Sequence, residues 1–89
     1  MKKIKLLLVD DEENFVNTLS ERLKMRDVPS KVVYSGEEAI EAIASEVPDV
    51  VVLDLRMPGI DGMEVLRKVR AAKPDVRIII LTGHGTDAT

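Results

Sequence analysis

Three aspartates in this chain follow short apolar runs, a placement that suits metal-assisted chemistry. Asp10 and Asp11 follow the run at residues 4–9, and Asp54 follows the run at 50–53. Because the carboxyl ends of neighbouring parallel strands meet at one edge of a sheet, we expect the three carboxylates to lie together. Two unit charges about 4 Å apart repel by roughly 4 kcal/mol at an effective dielectric constant near 20, so such a cluster requires a cation or a shared proton.

The residues around these aspartates favour one kind of cation and one kind of reaction. Neither cysteine nor histidine stands beside them, so the ligand atoms are all oxygen. Mg²⁺ prefers such a set, in which one or two carboxylates are completed by water and phosphate oxygens. A carboxylate next to Mg²⁺ can attack phosphorus and form an aspartyl-phosphate, while the ion neutralises charge during the transfer. Thr82, which follows the apolar run 77–81, can donate a hydrogen bond from its hydroxyl group to a phosphoryl oxygen.

Strand-length apolar runs alternate with segments of helical period, which predicts βαβ units and a parallel sheet. We expect strands at 4–9, 31–34, 49–53 and 77–81, and helices at 13–26, at 35–47 and at 62–73. Ser35 and Glu38 have the spacing of a capping box at the start of the second helix. The apolar positions that we expect to face the core are, helix by helix, Phe15, Val16, Leu19 and Leu23; Ala39, Ile40, Ile43 and Val47; and Val65, Leu66 and Val69.

Three such units joined by right-handed crossovers predict an α/β fold with a doubly wound parallel sheet. In these sheets a ligand binds beyond the carboxyl ends of the strands, at the point where the strand order reverses. If the first strand lies between the second and the third, that point falls between strands one and three. The three aspartates follow those two strands, so the sequence pattern and the topology rule indicate the same site.

Length and composition limit the class of protein. At 89 residues we assign the whole chain, 1–89, to one domain. Apolar residues make up 45% and charged residues 33%, which indicates a soluble globular domain. A net charge of −3 argues against binding to a nucleic-acid backbone, and no apolar stretch reaches the length of a membrane span. Because there is no cysteine, a reducing compartment fits, and we expect a cytoplasmic location without membrane contact.

Three separated motifs resemble the receiver domain of bacterial two-component response regulators. They are LVDDE at 8–12, VLDLRMPGIDG at 52–62 and ILTGH at 80–84, and their order and spacing agree along the whole chain. Because three distant segments match at once, the resemblance is far more specific than any one short motif. It implies a flavodoxin-like fold with strand order 2-1-3-4.

The resemblance also implies roles for individual residues. Asp54 would accept a phosphoryl group from a phosphohistidine of a sensor histidine kinase. Mg²⁺ would be bound by Asp11, Asp54 and the backbone carbonyl of Arg56, with Asp10 acting mainly through water. Thr82 would be the switch hydroxyl that moves toward the phosphoryl group. An output domain or an effector protein would receive the signal, so the chain is expected to be a phosphorylated signalling domain and not an enzyme.

One departure from the family pattern lies at the end of the chain. Intact receivers continue through a fourth helix, a fifth strand that ends in Lys-Pro and a fifth helix, whereas this chain stops at Thr89. The family's lysine that contacts a phosphoryl oxygen therefore falls outside it. The strand at 77–81 is expected to form an unpaired apolar edge, which favours association. We accordingly expect a chain of this extent to self-associate through that edge, to form a swapped dimer, or to be the ordered part of a longer chain.

Two other functions remain open on the sequence. A non-phosphorylated interaction module would use the same apolar edge for self-assembly. A metal-dependent phosphatase of the haloacid-dehalogenase type also has an aspartate nucleophile, but it requires a second aspartate two residues later. Arg56 occupies that position after Asp54, so the phosphatase is the weakest of the three hypotheses.

Overall fold

The fold was analysed on a computed structural model, which describes residues 4–57 and 62–81. The elements are, in chain order, β1 Leu6–Val9, α1 Glu13–Met25, β2 Ser30–Val33, α2 Gly36–Ser45, β3 Val50–Asp54, α3 Gly62–Ala72 and β4 Arg77–Leu81. All strand pairs are parallel, and the strand order is β2-β1-β3-β4. The predicted doubly wound, flavodoxin-like sheet with order 2-1-3-4 is confirmed.

Alternation along the strands gives the sheet two different apolar faces. Leu7 and Val9 of β1 belong to one buried cluster together with Leu53 of β3, and α2 and α3 cover this face with their own apolar side chains. The intervening Leu8 points to the opposite face, since successive strand side chains alternate. Leu8 is fully buried there, as is Val16 of α1. The crossover helices thus cover both faces, as parallel strands rich in Val, Ile and Leu require.

A network of hydrogen bonds aligns the strands at the edge of the sheet opposite the three aspartates. Asp49 accepts a hydrogen bond from the Lys5 N–H through Oδ2 at 2.8 Å, and its own N–H donates to the Lys5 carbonyl at 2.8 Å. The Asp49 carbonyl in turn accepts from the Arg77 N–H at 3.1 Å. Since β1, β3 and β4 begin in register here, the residues at their carboxyl ends are fixed relative to one another.

The start of α2 shows the predicted cap with one difference. Ser35 Oγ accepts a hydrogen bond from the Glu38 N–H at 3.1 Å, as a capping box requires. The Glu38 carboxylate reaches back to the N–H of Tyr34 at 2.9 Å, one residue before the cap residue itself. The cap therefore also secures the end of β2, because Tyr34 directly follows that strand.

Several apolar side chains among the described residues are exposed, and Phe15, Val47 and Ile79 bear on the predictions. Phe15 is 41% exposed, and Val47 is 42% exposed because α2 ends at Ser45, before Val47 is reached. The expectation that Phe15 and Val47 face the core is therefore wrong. Ile79 of β4 is 53% exposed, and β4 is an edge strand of the sheet that the structure describes.

Candidate functional site

Strand register brings Asp10 and Asp54 to the same edge of the sheet. Val9 and Leu53 are partners in the β1–β3 ladder, and Asp10 and Asp54 are the next residue of each chain segment. Both aspartates are almost completely buried, with 0% of Asp10 and 1% of Asp54 accessible to solvent. Two carboxyl groups buried side by side are costly unless their charge is compensated, so this pair marks a site with a chemical task.

The same local turn orients both buried carboxyl groups. Asp10 Oδ1 accepts a hydrogen bond from the Glu12 N–H at 3.0 Å, and Asp54 Oδ1 accepts one from the Arg56 N–H at 3.0 Å. In each case the donor lies two residues further along the chain, which is the pattern of an Asx turn. The Asp10 N–H also donates to the Val33 carbonyl of β2 at 3.2 Å. Each carboxyl group is thus oriented by a backbone N–H of its own chain segment.

Asp11 completes the cluster from the solvent side. One carboxylate oxygen from each of Asp10, Asp11 and Asp54 lies within 4.8 Å of the other two, and Asp11 is exposed whereas the other two are buried. All donors are hard oxygen atoms, which Mg²⁺ and Ca²⁺ prefer. Two oxygens on opposite sides of Mg²⁺ are at most about 4.2 Å apart, because each bond is about 2.1 Å long. The three aspartates expected to bind the metal thus lie together, and a bound cation would draw their oxygens to within this limit.

The roles of the other two predicted site residues, Arg56 and Thr82, stay predictions for different reasons. Arg56 lies beside the cluster with an exposed side chain, and its backbone N–H is engaged with Asp54 Oδ1. Its expected role as a carbonyl ligand stays a prediction. Thr82 lies outside the described residues, although the residue before it, Leu81, is the ladder partner of Asp54. The role of Thr82 as a switch hydroxyl also stays a prediction.

Gly62 is a site neighbour whose importance the sequence alone did not reveal. It is the first residue of α3, it is buried, and its N–H donates to the Leu55 carbonyl at 3.3 Å. A Cβ atom at this position would lie 2.4 Å from the backbone oxygen of Asp54. The motif contains this glycine, but only the fold shows that it lies against the backbone of Asp54.

Comparison with known proteins agrees with this geometry. Residues 6–89 match the response regulator receiver domain family. The response regulator MprA of Mycobacterium ulcerans is 38% identical over 81 residues, which are 91% of this chain and 35% of that protein. The chain thus spans about a third of the length of this curated relative.

Solved structures of response regulator receiver proteins are similar to this chain. A response regulator receiver protein from Pseudomonas putida superposes with a TM-score of 0.87 at 27% identity, over 98% of this chain and 73% of the other. A response regulator receiver domain protein from Clostridium thermocellum gives a TM-score of 0.84 at 31% identity, over 92% and 67% of the two chains. Among the residues that the structure describes, no helix is long and apolar enough to cross a membrane.

Proposed function

Since this chain belongs to the response regulator receiver domain family, we propose that it is a phosphoacceptor module of two-component signal transduction in which Asp54 receives the phosphoryl group. The observation that carries the proposal is the buried Asp10–Asp54 pair, completed by Asp11 within 4.8 Å. All described strands form one sheet, which supports assigning 1–89 to a single receiver domain. We further propose a cytoplasmic location and the sensor histidine kinase as the phosphodonor.

The transfer itself requires little more than a positioned carboxylate. An Oδ atom of Asp54 attacks phosphorus, the phosphorus–nitrogen bond of the donor phosphohistidine breaks, and the histidine leaves with the electron pair of that bond. Asp54 Oδ1 accepts the hydrogen bond from Arg56, so the carboxyl group is oriented before the donor arrives. Bound Mg²⁺ supplies charge neutralisation for the phosphoryl oxygens.

The chain's own residues fill the remaining roles in this proposal. Asp11 and Asp54 are direct metal ligands together with the Arg56 carbonyl, and Asp10 acts mainly through a water molecule. Thr82 donates its hydroxyl to a phosphoryl oxygen, and an output domain or effector protein reads the change. The domain is a phosphorylated signalling element and not an enzyme that turns over a separate substrate. Support for the metal ligands is the oxygen-only cluster at the ends of β1 and β3.

Beryllofluoride with Mg²⁺ tests the proposal, because beryllofluoride mimics a phosphoryl group on an aspartate. We expect the wild-type melting temperature to rise with Mg²⁺ alone and to rise further when beryllofluoride is added, and this further rise is the readout. Asp54→Asn is expected to abolish the further rise, and Asp11→Asn is expected to abolish it with Asp54 intact. Glu13→Gln is a matched control, since it removes one exposed acidic charge from the first turn of α1. An equal further rise in wild type and Asp54→Asn would refute the phosphoacceptor assignment.

A second function, an interaction module without phosphorylation, is favoured by one observation. β4 is an edge of the described sheet, and Ile79 on it is 53% exposed. An exposed apolar edge strand is a template for pairing with another chain. This alternative predicts concentration-dependent self-association or strand exchange that beryllofluoride leaves unchanged. Sedimentation over a dilution series, with and without beryllofluoride, separates the two functions.

A further inference from the structure

We infer that Gly62 is a positioning residue for Asp54, because only a residue without a side chain lets the start of α3 lie against the backbone of the phosphoacceptor. The inference rests on the proposed function, since it concerns the same site. A Cβ atom at Gly62 would lie 2.4 Å from the Asp54 carbonyl oxygen and 2.4 Å from Leu55 Cα. Carbon atoms in ordinary contact are about 3.5–4.0 Å apart, so both contacts are far too short.

The conflict cannot be relieved by a side-chain rotation. The two short contacts are to backbone atoms, and only the third neighbour, Leu55 Cδ2 at 3.0 Å, belongs to a side chain that can turn away. A methyl group at Gly62 therefore forces α3 and the end of β3 apart by about 1 Å, the difference between the built contact and ordinary contact.

Packing holds α3 in place and the strand ladder holds β3 in place, so the displacement falls on the backbone where the two meet. On the helix side, Val65 and Val69 are buried in the core, with 0% and 3% of their surface accessible. On the strand side, the β3 ladder with β4 extends to Asp54 itself. The Asp54–Leu55 peptide lies at the point of contact and at the end of that ladder, so it has the least support.

A shift of this peptide changes the metal site directly. The hydrogen bond from the Arg56 N–H to Asp54 Oδ1 spans the Asp54–Leu55 peptide, so the orientation of the carboxyl group depends on it. Metal–ligand distances tolerate deviations of about 0.2 Å, which is much smaller than the displacement. Loss of groups that orient metal ligands typically weakens metal affinity by about 10- to 100-fold, and we expect a weakening in that range for Gly62→Ala.

Calorimetric titration with Mg²⁺ alone tests the inference in wild type, Gly62→Ala and two controls. Gly36→Ala makes the same change at the first, buried residue of α2, next to a strand that carries no site residue. Val65→Ala loosens the packing of α3 without adding an atom near Asp54. Trimethylamine N-oxide, which favours compact states, and circular dichroism ensure that every variant is compared in its folded form.

We expect both controls to keep wild-type Mg²⁺ affinity although Val65→Ala loses stability, and Gly62→Ala to lose affinity. The inference is overturned if Gly62→Ala binds Mg²⁺ as tightly as wild type, or if Val65→Ala weakens binding by the same factor. If wild type itself binds neither Mg²⁺ nor beryllofluoride, the proposed function fails instead, so the two failures are distinguishable.

Discussion

Replacing Asp54 by Asn is expected to stabilise the metal-free protein. One oxygen of Asp54 lies within 4.8 Å of oxygens of Asp10 and Asp11. At that distance and an effective dielectric constant near 20, each fully charged pair repels by about 3.5 kcal/mol or more. Solvent weakens the repulsion between Asp54 and the exposed Asp11, so we expect a gain of about 1–3 kcal/mol.

The substitution is well suited to isolate this repulsion. Asparagine has nearly the same shape as aspartate, and its side-chain oxygen can still accept the hydrogen bond that Arg56 donates to Asp54 Oδ1. The turn at the end of β3 is therefore retained while one negative charge is removed. The change in stability then reports on the removal of the Asp54 charge.

Urea unfolding followed by circular dichroism measures the effect, first with EDTA and then with Mg²⁺. In EDTA, Asp54→Asn should unfold at higher urea than wild type. Mg²⁺ at ten times its dissociation constant stabilises the folded state by about 1.4 kcal/mol, and wild type should gain this whereas the variant gains less. The advantage of the variant should therefore shrink when Mg²⁺ is added.

Asp75→Asn is the control. It makes the same chemical change, the loss of one negative charge, but at an exposed aspartate that lies outside the cluster. Surface substitutions of this kind usually change stability by less than about 0.5 kcal/mol. If Asp54→Asn is no more stable than Asp75→Asn in EDTA, the three carboxylates do not repel one another in the folded protein. The reasoning from the cluster to a cation site would then be wrong.

Three further predictions concern the fold. Ser35→Ala removes the acceptor of the Glu38 N–H and should lower the free energy of unfolding by about 1 kcal/mol in urea titrations, with Ser35→Thr close to wild type. Leu53→Ala empties a fully buried position and should cost about 2–5 kcal/mol by the same measurement; a smaller loss would contradict the packing described for β3. If the chain self-associates as the alternative function requires, Ile79→Lys on the edge strand should lower the sedimentation-average mass without loss of stability; unchanged association would exclude this edge as the contact.

The periodicity of the sequence predicts a parallel sheet, and the strand order implied by the resemblance to receiver domains then predicts the aspartate pair. Apolar runs of strand length define β1 and β3, and Asp10 and Asp54 follow them, so the topology rule for parallel sheets brought both residues to one edge. The capping-box spacing of Ser35 and Glu38 located the start of α2 correctly. These features depend on neighbours in sequence or on a general rule of topology, which a pattern can express.

Features that depend on distances between separate segments were not predictable in the same way. Phe15 has the spacing of a core residue, but its exposure depends on which elements pack over α1. Gly62 lies close to the backbone of Asp54, eight residues earlier, and this contact is a property of the folded chain. The sequence shows only that a glycine stands at position 62. The Asx turns of Asp10 and Asp54 likewise appear only when the backbone geometry is known.

The unequal burial of the aspartate cluster has a consequence for the order of events during signalling. Among the described residues of the cluster, Asp10 and Asp54 are buried whereas Asp11 is exposed to solvent. Under the proposed function, the cation and the donor phosphohistidine would both approach from the side of Asp11. A histidine docked there first would obstruct the ion, so productive encounters are those in which the metal has loaded beforehand. Fluctuations in free magnesium would then set the fraction of molecules ready to receive a signal.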